Sequence, residues 1–377
     1  MRKYKSAEHA LRAIRRAVGI HHASYRASLA RFVRLYRRDF SPHEIEYYDL
    51  LDPAFSDELL EHVLSRQELI ELDKRYVVGS YLCLTSDKTV FYSVCRAAGL
   101  PIPDLIAVFD RPRGWACDGA TPQTPEEWYE VFARLPEYFV VKPALGLQGF
   151  GFAAYHRDGD RFLGNDGRPR TSVELHDDLL AIGKQNLFAG GYSHHSLRLR
   201  DGSHKVILQE RLRPHREIAE MTGSSALSTC RVTTLVGDDG EPSVLATALR
   251  VVVGTNATDN FVHGDNGNLW ASVDEVEGRI SDAFGLAPDG RRLERRNRHP
   301  TTGIELTDFR IPRWDEVKSL ALRLALTFRP HAMVSWDIAV TDRVVAVIEG
   351  NVGGQMIPTP CNRPVKSLFE DRRRTAA

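Results

Sequence analysis

Apolar residues recur at spacings of three and four over positions 7–18 and again over 24–38, among many arginines, and this period predicts helices across the first 80 residues. Ser86-Asp87 reads as the opening of a further helix running to Ala98, with Ser86 or Thr85 as its N-cap. Gly99 ends it, and Pro101 and Pro103 forbid its continuation. The pattern then shifts toward strands. Residues 105–109 form a short one, 111–125 a Pro- and Gly-rich loop, and a helix near 125–134 precedes a strand over 138–142. Strands are expected at 152–156, 205–209, 229–236 and 243–253, with a helix near 172–184 and another over 314–327. The polar, basic stretch 281–312 reads as an excursion or lid. No internal repeat or long low-complexity tract is present.

Near the C-terminus, residues 335–340 and 345–351 both read as apolar strands, with Thr341-Asp342-Arg343 as the turn between them. Antiparallel pairing across that turn brings Asp337 opposite Glu349, and the period of two puts Asn351 on the face of Glu349. Two carboxylates and an amide oxygen form a hard-oxygen ligand set suited to Mg²⁺.

Length and charge narrow the field. A chain of 377 residues holds two or three subdomains. Lys and Arg number 50, as do Asp and Glu, so bulk charge makes no case for nucleic acid or membrane binding. No run approaches the roughly 20 apolar residues of a spanning helix, and the basic start Met1-Arg2-Lys3-Tyr4-Lys5 is not followed by the apolar core of a signal peptide. The five cysteines are dispersed without CxxC spacing, which reads as reduced thiols in a cytoplasmic protein. The first helix has two readings, a basic amphipathic helix on a membrane surface or the solvated face of a helical subdomain. The acids between Asp39 and Glu71, which balance the local basic excess, favour the second.

Four further segments carry chemistry. Phe139-Val140-Val141-Lys142-Pro143 delivers a lysine from a strand, and Gly146-Leu147-Gln148-Gly149-Phe150-Gly151 follows. Glycines allow backbone N–H groups to approach phosphate oxygens, and a lysine adds a point charge. The loop is no Walker A motif, because a strand and not a helix follows it; the alternatives are a phosphate flap and a plain glycine-rich hairpin. Val206-Ile207-Leu208-Gln209-Glu210 ends an apolar strand in two polar residues, which suits either adenine and ribose recognition or a surface-capped strand. Arg231 lies in the β-rich run 228–235, where its fork suits a carboxylate or phosphate unless it simply points to solvent. In the polar loop 250–268, Asn256, Asn260, His263, Asp265 and Asn266 cluster among glycines as a substrate-facing candidate, with Arg250 as a second anion ligand. The adjacent pairs His21-His22 and His194-His195 point apart and make poor metal sites.

The order of these parts resembles the ATP-grasp superfamily. Closest in pattern is the sugar-transfer-associated ATP-grasp family, related to α-L-glutamate-ligase-like proteins. The resemblance rests on Ser86-Asp87-Lys88 with Gly99-Leu100-Pro101-Ile102-Pro103, Leu208-Gln209-Glu210 with Pro214-His215, the run from Leu227 to Thr233, Trp336-Asp337-Ile338-Ala339, and Ile348-Glu349-Gly350-Asn351. It covers roughly residues 80–360. It implies an α+β fold of two subdomains clasping ATP, preceded by a helical N-terminal region, with divisions at 1–80, 81–204 and 205–377. It implies that Lys88 and Lys142 contact phosphates, with Lys142 also near the adenine, and that Gly146, Gln148, Gly149 and Gly151 form the flap. Gln209 to Leu212 would hold adenine, and Glu210 or Glu217 the ribose. Asp337, Glu349 and Asn351 would bind one or two Mg²⁺ ions, or Mn²⁺ in their place. Arg231 would stabilise the transferring phosphoryl group or an acyl phosphate, with Arg250 beside it. Leu147, Gln148 and Phe150 depart from the small or hydroxylated flap residues of many relatives.

The implied activity is ATP-dependent ligation of a carboxylate to an amine or thiol through an acyl phosphate, on small molecules or on a peptide or sugar-linked acceptor. The other two readings are phosphoryl transfer to a small-molecule hydroxyl and a non-catalytic nucleotide-binding partner in a cell-surface or secondary-metabolite pathway. Nothing in the sequence sets the oligomeric state.

Overall fold

The computed structural model describes residues 2–111, 113–146, 149–184 and 205–352. The helical expectation for the first 80 residues holds, with α1 (Arg2–Gly19), α2 (Tyr25–Arg37), α3 (Pro42–Tyr47), α4 (Asp57–His62) and α5 (Arg66–Tyr76) around their own core of Ala13, Ala17, Leu35, Phe40, Ile45 and Leu50. Ser41 caps α3 through a reciprocal pair of bonds with Glu44. After the single turn α6 (Cys83–Ser86) comes α7 (Lys88–Ala97). Its N-cap is Asp87, whose carboxylate accepts from Thr89 N at 2.8 Å, and not Ser86 or Thr85. Both lie inside the preceding turn, so neither can adopt the extended backbone of a cap. Among the described residues no helix is long and apolar enough to cross a membrane.

Two seven-stranded antiparallel sheets follow, as expected for an α+β chain. The first contains β1 (Leu105–Asp110), β2 (Arg113–Ala116), β3 (Tyr138–Pro143), β4 (Ala153–Asp158), β5 (Arg161–Gly164), β6 (Pro169–Arg170) and β7 (Val206–Glu210), in the order β2-β1-β7-β3-β4-β5-β6. Although the division at 204/205 placed it in the second subdomain, β7 is an interior strand of this sheet, paired on both sides with β1 and β3. An apolar strand of five residues gains most when both edges are paired and both faces are covered. Alternation then divides its faces. Val206 and Leu208 join Val141, Trp128, Phe132, Leu175 and Leu179 in a core under α8 (Pro125–Phe132) and α9 (Ser172–Lys184). Ile207 and Gln209, with Val140 and Lys142, face the other way.

The second sheet runs β12-β11-β10-β9-β8-β13-β14, built from β8 (Thr229–Val236), β9 (Pro242–Val251), β10 (Leu269–Val273), β11 (Ile280–Leu286), β12 (Leu293–Arg295), β13 (Met333–Val340) and β14 (Val345–Asn351). The stretch 281–312 is therefore no simple lid. Its first part supplies the last two strands of the sheet, of which the outermost, Leu293–Arg295, carries the exposed charge that prevents further pairing. That charge disguised the edge strand in the sequence.

Period two splits the central strands of this sheet. Cys230, Val232, Leu249, Val251, Trp336, Ile338 and Val347 pack on Val317, Leu320 and Leu324 of α11 (Trp314–Thr327). Thr229, Arg231, Arg250, Ser335 and Asp337 take the opposite face. The short helix α10 (Arg216–Thr222) closes the connection from β7 to β8. Asp337 pairs with Glu349 as the pattern predicts, and a bulge between Asp337 and Ile338 breaks the register there.

Gly350, between Glu349 and Asn351, has no room for a side chain. A Cβ there would lie 2.6 Å from the buried Trp336 ring and 3.4 Å from Phe91. Gly350→Ala should lower unfolding stability by about 1–3 kcal/mol through overpacking. Chemical denaturation checks this, and an unchanged midpoint would refute the packing account.

Candidate functional site

The polar faces of the two sheets enclose a cavity of about 410 Å³. From the first sheet it is lined by Val140, Lys142, Ala154, Gln209 and Glu210, and from the second by Thr229, Arg250, Ile348 and Glu349. Lys88 enters from the start of α7, and Gly146 and Gly149 border the cavity. Arg211, Leu212, the turn Gly223–Leu227 and residues 255–260 complete its lining.

Below the cavity Asp337 is completely buried and gathers two arginines. Arg231 donates Nε to Oδ1 at 2.7 Å and Nη2 to Oδ2 at 2.9 Å, and Arg250 Nη2 lies 2.9 Å from Oδ2. Arg250 also pairs with Asp259 at 3.0 Å and donates to Thr229 and Asn260. Asp259 in turn accepts from the Thr229 amide and hydroxyl at 2.7 and 2.6 Å. Burial raises the pKa of the Asp337 carboxyl, but the two guanidinium charges more than reverse this and hold it below the ordinary carboxylate range. For Asp259 burial prevails over Arg250, and its carboxyl is raised.

The lysines occupy the cavity side. Lys142 Nζ donates to Tyr92 Oη at 3.0 Å, and Tyr92 donates on to the Ile348 carbonyl. Lys88 Nζ donates to the Gly146 carbonyl at 3.0 Å and stands 3.9 Å from Glu349. Burial lowers the pKa of both amines, with Glu349 opposing, and brings Lys142 to about 8. Arg231, Arg250, Lys88 and Lys142 thus face Asp259, Asp337 and Glu349, one more cation than anion, in a pocket that favours an anionic guest.

The predicted residues divide accordingly. Lys88, Lys142, Gly146, Gly149, Gln209, Glu210, Leu212, Arg250 and Glu349 line one cavity. Arg231 and Asp337 lie buried behind it, and the Arg231 fork is filled by Asp337. Asn351 donates Nδ2 to Asp337 at 3.3 Å. Glu210 lines the cavity but is held by Arg343 at 2.7 Å. Glu217 lies in the first turn of α10, where its backbone N–H donates to the N-cap His215, and its exposed side chain is outside the lining. Gly151 adopts φ +72° just beyond the lining, and Gln148 lies outside the described residues. Of the polar loop, Asn256 and Asn260 reach the cavity, whereas His263, Asp265 and Asn266 do not. Gly149, at φ +74°, abuts that loop so closely that a Cβ would sit 2.6 Å from Asn260 Nδ2.

Sequence reasoning missed Tyr92 and Asp259. Tyr92 carried a usable signal, because it follows Lys88 by four residues and so shares its helix face. Asp259 carried none, since only the folded loop brings it to Arg250.

A family model for sugar-transfer-associated ATP-grasp proteins matches residues 67–362. The chain belongs to this family. Its ATP-grasp fold accounts for the paired sheets with a cavity between them. Among solved structures, the ATP-grasp chain is similar to the biotin carboxylase domain of Hydrogenobacter thermophilus 2-oxoglutarate carboxylase in complex with MgADP, ADP and bicarbonate, at 13% identity over 72% of this chain and 41% of that one, with a TM-score of 0.38. It is also similar to Campylobacter jejuni biotin carboxylase in its β-γ-ATP complex, at 11% over 77% and 46%, TM-score 0.40. A third is Bacillus anthracis D-alanine–D-alanine ligase complexed with ATP, at 11% over 78% and 66%, TM-score 0.37. The chain spans less than half the length of the two carboxylases. No curated protein matches it.

A lysine whose folded pKa lies below its unfolded value binds fewer protons folded than unfolded between about 8 and 10.5, so Lys142 makes stability rise with pH across that window. NMR titration of labelled lysines should show one amine near pH 8 that disappears in Lys142→Met. A titration near the ordinary value would contradict the buried geometry.

Proposed function

We propose that this ATP-grasp protein is an ATP-dependent ligase that joins a carboxylate to an amine or thiol. The carrying observation is that one cavity between the sheets is lined both by Lys88, Lys142 and Glu349 beside Gly146 and Gly149 and by the strand end Gln209–Leu212. Lys88 and Lys142 bind the phosphates, and Gly146, Gly149 and Gly151 cover them. Gln209 to Leu212 receive the adenine, and Glu210 the ribose, in preference to Glu217, whose side chain faces solvent.

Asp337, Glu349 and Asn351 are hard-oxygen donors on one strand pair, and this donor chemistry fits Mg²⁺. Glu349 alone of the three lines the cavity and so meets the ion first. Asp337 shares its oxygens with Arg231 and Arg250 and holds Asn351 beside Glu349. When bound, Mg²⁺ neutralises phosphate charge and acts as a Lewis acid.

The γ-phosphoryl group passes to a carboxylate oxygen of the acid and ADP departs. The nucleophile then attacks the acyl carbon, inorganic phosphate leaves, and the nucleophile's proton goes to solvent. Arg250, at the cavity wall, faces the reacting groups. Arg231 acts through Asp337 and does not touch them. Most of the catalysis is positioning and charge neutralisation.

One observation favours the second reading, phosphoryl transfer to a hydroxyl. Both arginine forks are engaged by Asp337 and Asp259, while the wall at Thr255, Asn256, Thr258 and Asn260 offers neutral hydroxyls and amides. A stable phosphoester in the ³¹P spectrum, in place of inorganic phosphate, would decide for it.

Coupled ADP-release assays across panels of acids and amines should find acceptor-dependent turnover that falls about 10²-fold or more in Glu349→Gln. ATP binding without turnover on any acceptor, unchanged in Glu349→Gln, would overturn the assignment.

A further inference from the structure

The outer face of the first two helices has no role in the cavity, and residues 1–66 precede the matched family region. Leu11, Arg15 and Val18 follow one another along α1 at spacings of four and three. On α2, Tyr25, Leu29, Val33 and Tyr36 form one stripe by the same rule. All these apolar side chains are exposed, Tyr25 by 60% and Tyr36 by 57%. Isolated exposed apolar residues are ordinary, but a continuous stripe along a helix is not.

Charge identifies what such a face fits. The first 38 residues carry eleven Lys and Arg and a single acid, Glu8. The acids further on, which seemed to cancel this excess, pair with particular arginines: Glu46 with Arg12, Asp49 with Arg16, and Asp57 with Arg31 and Arg34. Arg15, Arg26 and Arg37 remain exposed, with no acid at ion-pair distance among the described residues. Aliphatic side chains between two tyrosines, interleaved with unpaired arginines, match a surface with an apolar interior beneath an anionic layer.

We propose that the outer face of α1 and α2 docks on an anionic lipid bilayer. The tyrosine and aliphatic side chains enter the headgroup–acyl boundary, and Arg15, Arg26 and Arg37 bind lipid phosphates. This restores for the folded protein a reading that local charge balance had argued against.

Flotation of the full chain with phosphatidylcholine vesicles, with and without phosphatidylglycerol, tests it. Binding should be about tenfold or more stronger on the anionic vesicles and should weaken as salt is raised. Two variants at exposed positions, Leu29→Asp with Val33→Asp and Arg15→Glu with Arg26→Glu and Arg37→Glu, should each abolish it while circular dichroism stays unchanged. Equal binding to neutral and anionic vesicles, or full binding by both variants, would overturn the proposal. So would light scattering that shows the stripe joining two copies of the chain without vesicle association, or capture of an acidic protein by a chain that ignores vesicles.

Discussion

A buried carboxylate held by two arginines organises the cavity floor. Asp337 alone inside a sheet would be costly, because an ion in a low-dielectric interior needs partners for its lone pairs. Arg231 and Arg250 supply them from neighbouring strands, and Asp259 with Thr229 completes the set from the loop side. One network thereby ties β8, β9, β13 and the loop at 255–260 into a fixed arrangement. Such a network contributes less to net stability than to holding one geometry, since removing one partner strands the others.

The cavity chemistry follows from this arrangement. With Asp337 saturated, Glu349 is left as the carboxylate that faces the lysines, and Asn351 is kept beside it through Asp337. Lys142 and Lys88 are anchored by Tyr92 and by the Gly146 carbonyl, so their charge is aimed at the space between the sheets before any ligand arrives. This is preorganisation in the sense that matters for phosphoryl transfer, where fixed charges await the charge that shifts among the phosphate oxygens in the transition state. The glycine loop belongs to the same unit, because Gly149 rests on Asn260 of the opposite wall.

Much of this was legible in the sequence. The register of Asp337 against Glu349 follows from period two and a short turn, and both rules act over a dozen residues. The lysine strand, the glycine loop and the strand ending in Gln209-Glu210 carry their signals locally. What could not be read depends on distant contacts. The arginines looked like ligands for a substrate anion, whereas Asp337 fills the Arg231 fork, a pairing across strands more than a hundred residues apart in the chain. The edge strand Leu293–Arg295 was hidden because an edge needs exposed charge, and its inner neighbour Ile280–Leu286 because it is a short strand set in a polar, basic stretch. The interior place of Val206–Glu210 in the first sheet likewise follows from topology, which local pattern does not encode.

The central claim is that the space between the sheets is a nucleotide site whose charge is supplied by Lys142, Lys88 and Glu349. Isothermal titration calorimetry of the full chain with a non-hydrolysable ATP analogue addresses it most directly. The account predicts saturable binding at one site that weakens when Mg²⁺ is chelated and is lost in the Lys88→Met, Lys142→Met double variant. Absence of binding, or binding of equal strength in that variant, would contradict it.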